Sequence, residues 1–212
     1  FNYPVTVKRL RDYGPVERVA ETTAIARRLV GGRKPLWITL QAFGGAARGW
    51  RQPSAETVRA MAYAAVVHGA TGLIYFAYDS FVTRDDGILG IAPAPVRDYR
   101  VAADYNADGK PPLVASEDDL RWSRSLFRAV ASVNEEMAQL RAAILSPTAT
   151  LDYTVRPADG ATRSNSVRSL LKKSDTDYVL ITVNVDPEPA IVDFRLPGHI
   201  TSITPLFGAA EP

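Results

Sequence analysis

The side chains whose type and position could carry chemistry sit where two apolar runs stop. The run PLWITLQAF, from Pro35 to Phe43, closes on an amide, Gln41, and an aromatic, Phe43, while the run TGLIYFAY ends on Tyr78 and is followed at once by Asp79. A carboxamide donates and accepts hydrogen bonds but cannot serve as a carboxylate nucleophile or usefully share a proton near neutral pH. Tyr78 and Asp79 offer a phenol and a carboxylate, and Asp79 is the one carboxylate placed right at the end of an apolar run; an aspartate there also suits the cap of a turn. Trp50 presents a flat aromatic face inside the Gly- and Arg-containing segment between the runs. The remaining candidates read more simply. Asp85-Asp86-Gly87 has the composition of a turn, and Asp104-Tyr105-Asn106-Ala107-Asp108-Gly109 hints at a calcium loop but is followed by Lys110-Pro111-Pro112 in place of the terminal glutamate. His68 and His199 stand alone, which argues against a zinc site or a catalytic triad. Asn134-Glu135-Glu136 falls inside a helical pattern and reads as a solvated face.

Composition narrows the classes. The chain has 212 residues, 46% hydrophobic and 23% charged, which is ordinary globular material for one large or two small domains. Its 25 basic and 23 acidic residues are interspersed and leave a net charge of +2, so no basic footprint points to nucleic acid. No apolar run approaches the roughly 20 residues that span a bilayer, so no membrane partner is expected. Phe1 follows no initiator Met or signal peptide, and a processed or partial chain is the expectation. The absence of cysteine excludes disulfides, thiol chemistry and cysteine-zinc sites. It leaves the compartment open, secretion or a bacterial periplasm included. No phosphate-binding glycine loop or nucleotide fingerprint is present, and no cofactor or metal is expected.

Residues 16–30 carry apolar side chains at Val16, Val19, Ala20, Thr23, Ala26 and then Leu29 or Val30, a helical spacing stopped by Gly31-Gly32. Residues 36–43 are apolar on both faces and too short for a helix, the pattern of a parallel strand covered on both sides. Ser54 can cap a helix whose face is Val58, Met61, Ala62, Ala65 and Val66, with Gly69 as its stop. Residues 71–78 repeat the strand pattern, completing strand, helix, strand, the unit of a parallel sheet. The two strands are expected to be adjacent and joined by a right-handed crossover. Residues 79–115 show no period and read as a functional loop or an insertion. The capping box Ser116-Glu117-Asp118-Asp119 starts a long helix with Leu120, Leu126, Phe127, Val130, Val133, Met137, Leu140 and Ile144, ended by Ser146-Pro147. Beyond it, 151–155, 166–172, 178–185, 191–196 and 203–207 read as short strands, so residues 148–212 are expected to form a small all-β sandwich or part of one, after an α/β unit over 1–147.

The order of a Tyr3-Pro4 turn, a helix, PLWITLQAF, the loop GWRQP (Gly49 to Pro53), a Ser-Ala-Glu helix, HGATGLIYFAYDSF, a long loop, a long helix and short strands resembles the C-terminal part of a TIM-barrel glycoside hydrolase, over nearly the whole chain. The resemblance implies that 36–43 and 71–78 are barrel strands 7 and 8, that 116–145 is the closing helix, and that the strands after 150 are the accessory sandwich. A complete (β/α)8 barrel needs eight strand-helix units, and residues 1–147 hold two clear strands, so the N-terminal half of the barrel is an expected partner, in the same precursor or another chain. A different, smaller α/β arrangement is the alternative. Active sites of such barrels lie at the C-terminal strand ends. On this resemblance Gln41, Phe43, Trp50, Tyr78 and Asp79 are the substrate-binding candidates for an oligo- or polysaccharide, Trp50 stacking on a sugar ring or else anchoring its loop. Where the large retaining group has a strand-7 glutamate nucleophile and a strand-4 acid, this chain has Gln41 and lacks strand 4; Asp79 alone is left as a weak catalytic candidate. Gln41 is then a sugar-contacting amide, a trapping replacement of glutamate, or a core amide held by backbone. Two function classes follow: an enzyme acting on glycosidic bonds, with its main carboxylates upstream, or a non-catalytic carbohydrate-binding or structural module.

Overall fold

The computed structural model describes residues 15–32, 34–44, 51–78, 81–82, 87–92, 117–158, 166–174, 177–198 and 200–207. The apolar stripe of residues 16–30 forms helix α1 (Pro15–Leu29), with Val16, Val19, Ala20 and Thr23 buried and the Thr23 hydroxyl turned back to the Val19 carbonyl at 2.7 Å. Gly31 and Gly32 follow in the left-handed region, at φ 60° and 72°, which ends the helix without the penalty a Cβ would meet. Ser54 caps α2 (Ala55–Val67) by accepting from the Thr57 amide at 3.1 Å, and Gly69, at φ 94°, follows its last turn. Nearly every residue from Met61 to Val67 is small or apolar and buried, because α2 is packed on more than one side.

Between these helices run β1 (Trp37–Gln41) and β2 (Gly72–Phe76), parallel neighbours in the register Trp37 with Gly72, Thr39 with Ile74 and Gln41 with Phe76, α2 being the crossover. Adjacency and parallel direction agree with the sequence pattern. Burial on both faces does not. Ile38 and Leu40 are buried, with Leu73 and Tyr75 packed against the same core, whereas Trp37 is 65% and Ile74 44% exposed on the opposite face. Among the described residues only the helical side of this sheet is covered.

Within the segment read as a loop, β3 (Phe81–Val82) and β4 (Gly87–Ile88) pair antiparallel. The long helix is α3 (Glu117–Gln139), continued after Leu140 by one further short helix, α4 (Arg141–Leu145). Leu126, Val130 and Val133 of α3, and Leu140 just after it, are buried in the same cluster as α2, but Phe127 points outward. The fold is therefore mixed α/β, with four helices and small two-stranded sheets and no closed barrel among the described residues.

Beyond residue 148, β5 (Thr154–Pro157) pairs antiparallel with β8 (Val192–Arg195), and β6 (Val167–Lys173) with β7 (Tyr178–Asn184). The first of these strands starts three residues later than its apolar run, where the partner β8 is available, and residues 203–207 form no strand: Ile203 and Leu206 are exposed and Pro205 lacks an amide for a ladder. Ile181, Val183 and Val185 of the β7 row share one hydrophobic cluster with α1, α2, β1 and α3.

Candidate functional site

The two parallel strands bring their C-terminal ends together, and the rim there is tied by backbone bonds. The Ala42 amide donates to the Phe76 carbonyl at 2.6 Å, Gly44 and Leu89 exchange bonds at 3.0 and 2.9 Å, and the Ile91 and Ala92 amides donate to Ala77 and Tyr78 at 3.1 and 2.8 Å. The Phe76–Ala77 peptide is cis. A Cβ on Gly44 would lie 2.2 Å from Gln52 Cγ, so glycine is what lets residues 51–53 close over this strand end. The N-terminal half of α3 holds the same loops from outside. Trp122 Nε1 donates to the Pro53 carbonyl at 2.9 Å, the buried Ser123 hydroxyl to the Gly90 carbonyl at 2.8 Å, and Gln52 Nε2 to Asp119 Oδ1 at 3.2 Å.

Gln41 lies at the centre of this rim, 5% exposed, on the strand parity of Trp37 and Thr39. Its Nε2 donates to the Phe43 carbonyl at 2.7 Å and to the Arg51 carbonyl at 3.0 Å, so both amide hydrogens pin the chain after β1 to the loop before α2. A ligand hydroxyl would therefore have to approach Oε1. Phe43 is buried and meets Phe76 edge to face, ring centroids 5.6 Å apart, as a wall of the rim. Tyr78 is 56% exposed at the end of β2. The structure thus brings Gln41, Phe43 and Tyr78 to one pair of strand ends. Trp50 and Asp79 lie outside the described residues, as do Asp85, Asp86, the 104–109 segment, Ser116 of the capping box, the Tyr3-Pro4 turn and His199.

A cluster that spacing alone did not single out lies between α2 and α3. Arg59 Nε donates to both Glu136 oxygens at 3.1 and 3.2 Å, its Nη2 lies 3.0 Å from Oε2, and the Tyr63 hydroxyl donates to Oε2 at 2.5 Å. The Arg59 guanidinium also covers the Tyr63 ring, 4.9 Å from its centroid. Burial, and then Glu136, pushes the Tyr63 phenol well above its ordinary range, so it stays a donor. Glu136 is thus a half-buried clamp, unlike its neighbours Asn134 and Glu135, which are exposed as a solvated face should be. The legible signal was the Arg59/Tyr63 pair, four apart on one helix face.

Other perturbed groups follow from burial. Tyr75, on the helical side of β2, is pushed up to about 12 by burial, and its hydroxyl has no partner. Burial and then Arg168 hold His68 below its usual range. Among the described residues no group of three or more metal-ligating side chains occurs, and no helix is long and apolar enough to cross a membrane. Comparison with known protein families, curated proteins and solved structures found no match. The described rim can hydrogen bond and stack; the described strand ends supply no acid–base pair.

Proposed function

We propose that the chain is part of a glycoside hydrolase acting on an oligo- or polysaccharide, residues 1–147 supplying the C-terminal part of a (β/α)8 barrel and 148–212 an accessory β-domain. The observation that carries this reading is a parallel sheet that, among the described residues, is covered on one face. Parallel sheets are buried on both faces, because their crossovers place helices on one side and a core or further layer on the other. Here α1, α2 and α3 cover one face, while Trp37, Thr39 and Ile74 stand on a second face that a barrel would turn into its packed lumen. Exposed Ile25 and Leu29, four apart on α1, are a matching apolar stripe for a neighbouring barrel helix. The missing strands would then provide the main carboxylates, and Gln41, Phe43, Tyr78, Trp50 and Asp79 the substrate rim.

The backbone-held amide of Gln41 favours a second reading, a non-catalytic carbohydrate-binding or structural module. One experiment separates them. The chain joined to the upstream part of its coding sequence should hydrolyse at least one of a panel of oligosaccharides, and the chain alone none. Calorimetric binding of an oligosaccharide without hydrolysis by the joined protein would select the module, and neither binding nor hydrolysis would overturn both readings.

A further inference from the structure

The amide of Gln41 is held in one orientation, and that decides what it can offer a ligand. One terminal atom of its side chain lies 2.7 Å from the Phe43 carbonyl oxygen and 3.0 Å from that of Arg51, so that atom is the nitrogen and both of its hydrogens are engaged. Oε1 is what remains. Among the described residues it accepts no hydrogen bond, and the fully buried polar atoms left without a partner lie elsewhere, at His68, Tyr75 and Ser166. Oε1 therefore keeps access to solvent although the residue as a whole is buried.

Turning the amide over would set Oε1 against two carbonyl oxygens and forfeit both bonds, so a ligand meets an acceptor and not a donor. The same two carbonyls exclude an ionised glutamate, whose carboxylate would place negative oxygen against them and has no hydrogen to give. Position 41 is built for an amide, not for a carboxylate that an amide replaces. Its surroundings are apolar: Phe76 is the register partner of Gln41 across the sheet, and the Phe76 ring stands edge to face with that of Phe43. A buried amide beside aromatic rings sits in low dielectric, where a bond from a hydroxyl is stronger and an unmatched acceptor costlier.

We propose that Gln41 is a specificity-determining residue of this rim: its Oε1 accepts a hydrogen bond from one neutral hydroxyl of a bound sugar, and the rim selects at that position a group that can donate. A hydroxyl fits, whereas hydrogen, fluorine or a carboxylate does not. The inference rests on the rim's binding carbohydrate, as an enzyme or as a module, and adds to that reading the polarity of one contact.

Two measurements on the full encoded protein test it. Gln41→Glu tests the lock without any ligand. A carboxyl facing two carbonyls stays protonated in the fold, its proton affinity raised above the ordinary value of about 4.3. The unfolded state then ionises first, so relative to the wild type the folded-to-unfolded ratio of the variant should fall by up to about tenfold per pH unit from about pH 4.5 upward. Calorimetric titration tests the contact, using the tightest binder of the oligosaccharide panel with its monodeoxy and deoxyfluoro analogues. One position is expected at which both analogues bind equally, about three- to tenfold weaker than the parent, because fluorine at most accepts and cannot donate. In Gln41→Met the parent should lose that advantage while analogues at other positions keep their differences, a pattern that a shifted loop would not produce. A Gln41→Glu profile parallel to the wild type, a fluoro sugar that matches the parent at every position, or a deficit that persists in Gln41→Met overturns the proposal and leaves the carbohydrate reading standing. Failure of every member of the panel to bind overturns the carbohydrate reading and this proposal with it.

Discussion

Gln41 shows how far a side chain's identity can differ from its use. The sequence places an amide at a strand end, and parity assigns it the same side as Trp37 and Thr39; both readings hold. What could not be read was that its two N–H groups close the rim, because one acceptor, the Arg51 carbonyl, lies ten residues away in a loop without periodicity. Gln41→Ala should therefore lower stability by about 1–3 kcal/mol, since it leaves buried carbonyls short of a donor, and denaturant titration checks this. Tyr75 behaves oppositely. Its buried hydroxyl has no partner, so Tyr75→Phe should be neutral or stabilising by about 1 kcal/mol at pH 7. The sign of its pH effect follows from linkage: with a folded pKa of about 12 against about 10 unfolded, the unfolded state loses its proton first, so stability falls as pH rises from about 10 to 12. Tyr75→Phe should flatten that fall, as unfolding measured across the alkaline range would show.

At the scale of elements, stops and caps were the legible part. Gly31-Gly32, the Ser54 cap and Gly69 all act where composition placed them, because each acts through its own backbone or its nearest turn. Strand limits after residue 148 were less legible: β5 is defined by pairing with β8, 38 residues on, rather than by its own apolar run, and residues 203–207 have the composition of a strand but no partner among the described residues. The α2–α3 contact was half legible. Leu126, Val130 and Val133 were visible as an apolar face, while the Arg59–Tyr63–Glu136 clamp needed the two helices side by side. Because the Tyr63 hydroxyl would lose its acceptor in a buried site, Glu136→Ala should cost about 2–3 kcal/mol, more than Arg59→Ala, whose guanidinium is half exposed and screened. A double-mutant cycle of Tyr63→Phe with Glu136→Gln should return a coupling of about 1–2 kcal/mol; no coupling would reduce the clamp to proximity.

For the whole molecule, one hydrophobic cluster runs from α1 through β1, α2 and α3 to the β7 row, so the helical layer and the later strands are fastened together while, among the described residues, one face of the parallel sheet carries exposed Trp37 and Ile74. Strand, helix, strand was plain in the sequence because it is local and periodic. The exposed face was not, since apolar runs signal burial on two sides without saying what does the burying. If that face is the lumen of a barrel, its cover is further strands, and the chain by itself should be marginally soluble because its strand edges are unpaired. The most direct measurement is amide hydrogen exchange of Trp37–Gln41 and Gly72–Phe76 in the chain alone and joined to the upstream part of its coding sequence. The barrel account predicts that amides on the outer strand edges exchange readily in the chain alone and become strongly protected in the joined protein, with Trp37 emission shifting to the blue as its indole is buried. A monomeric chain in which every one of those amides is already protected, and Trp37 emission unchanged on joining, would contradict it.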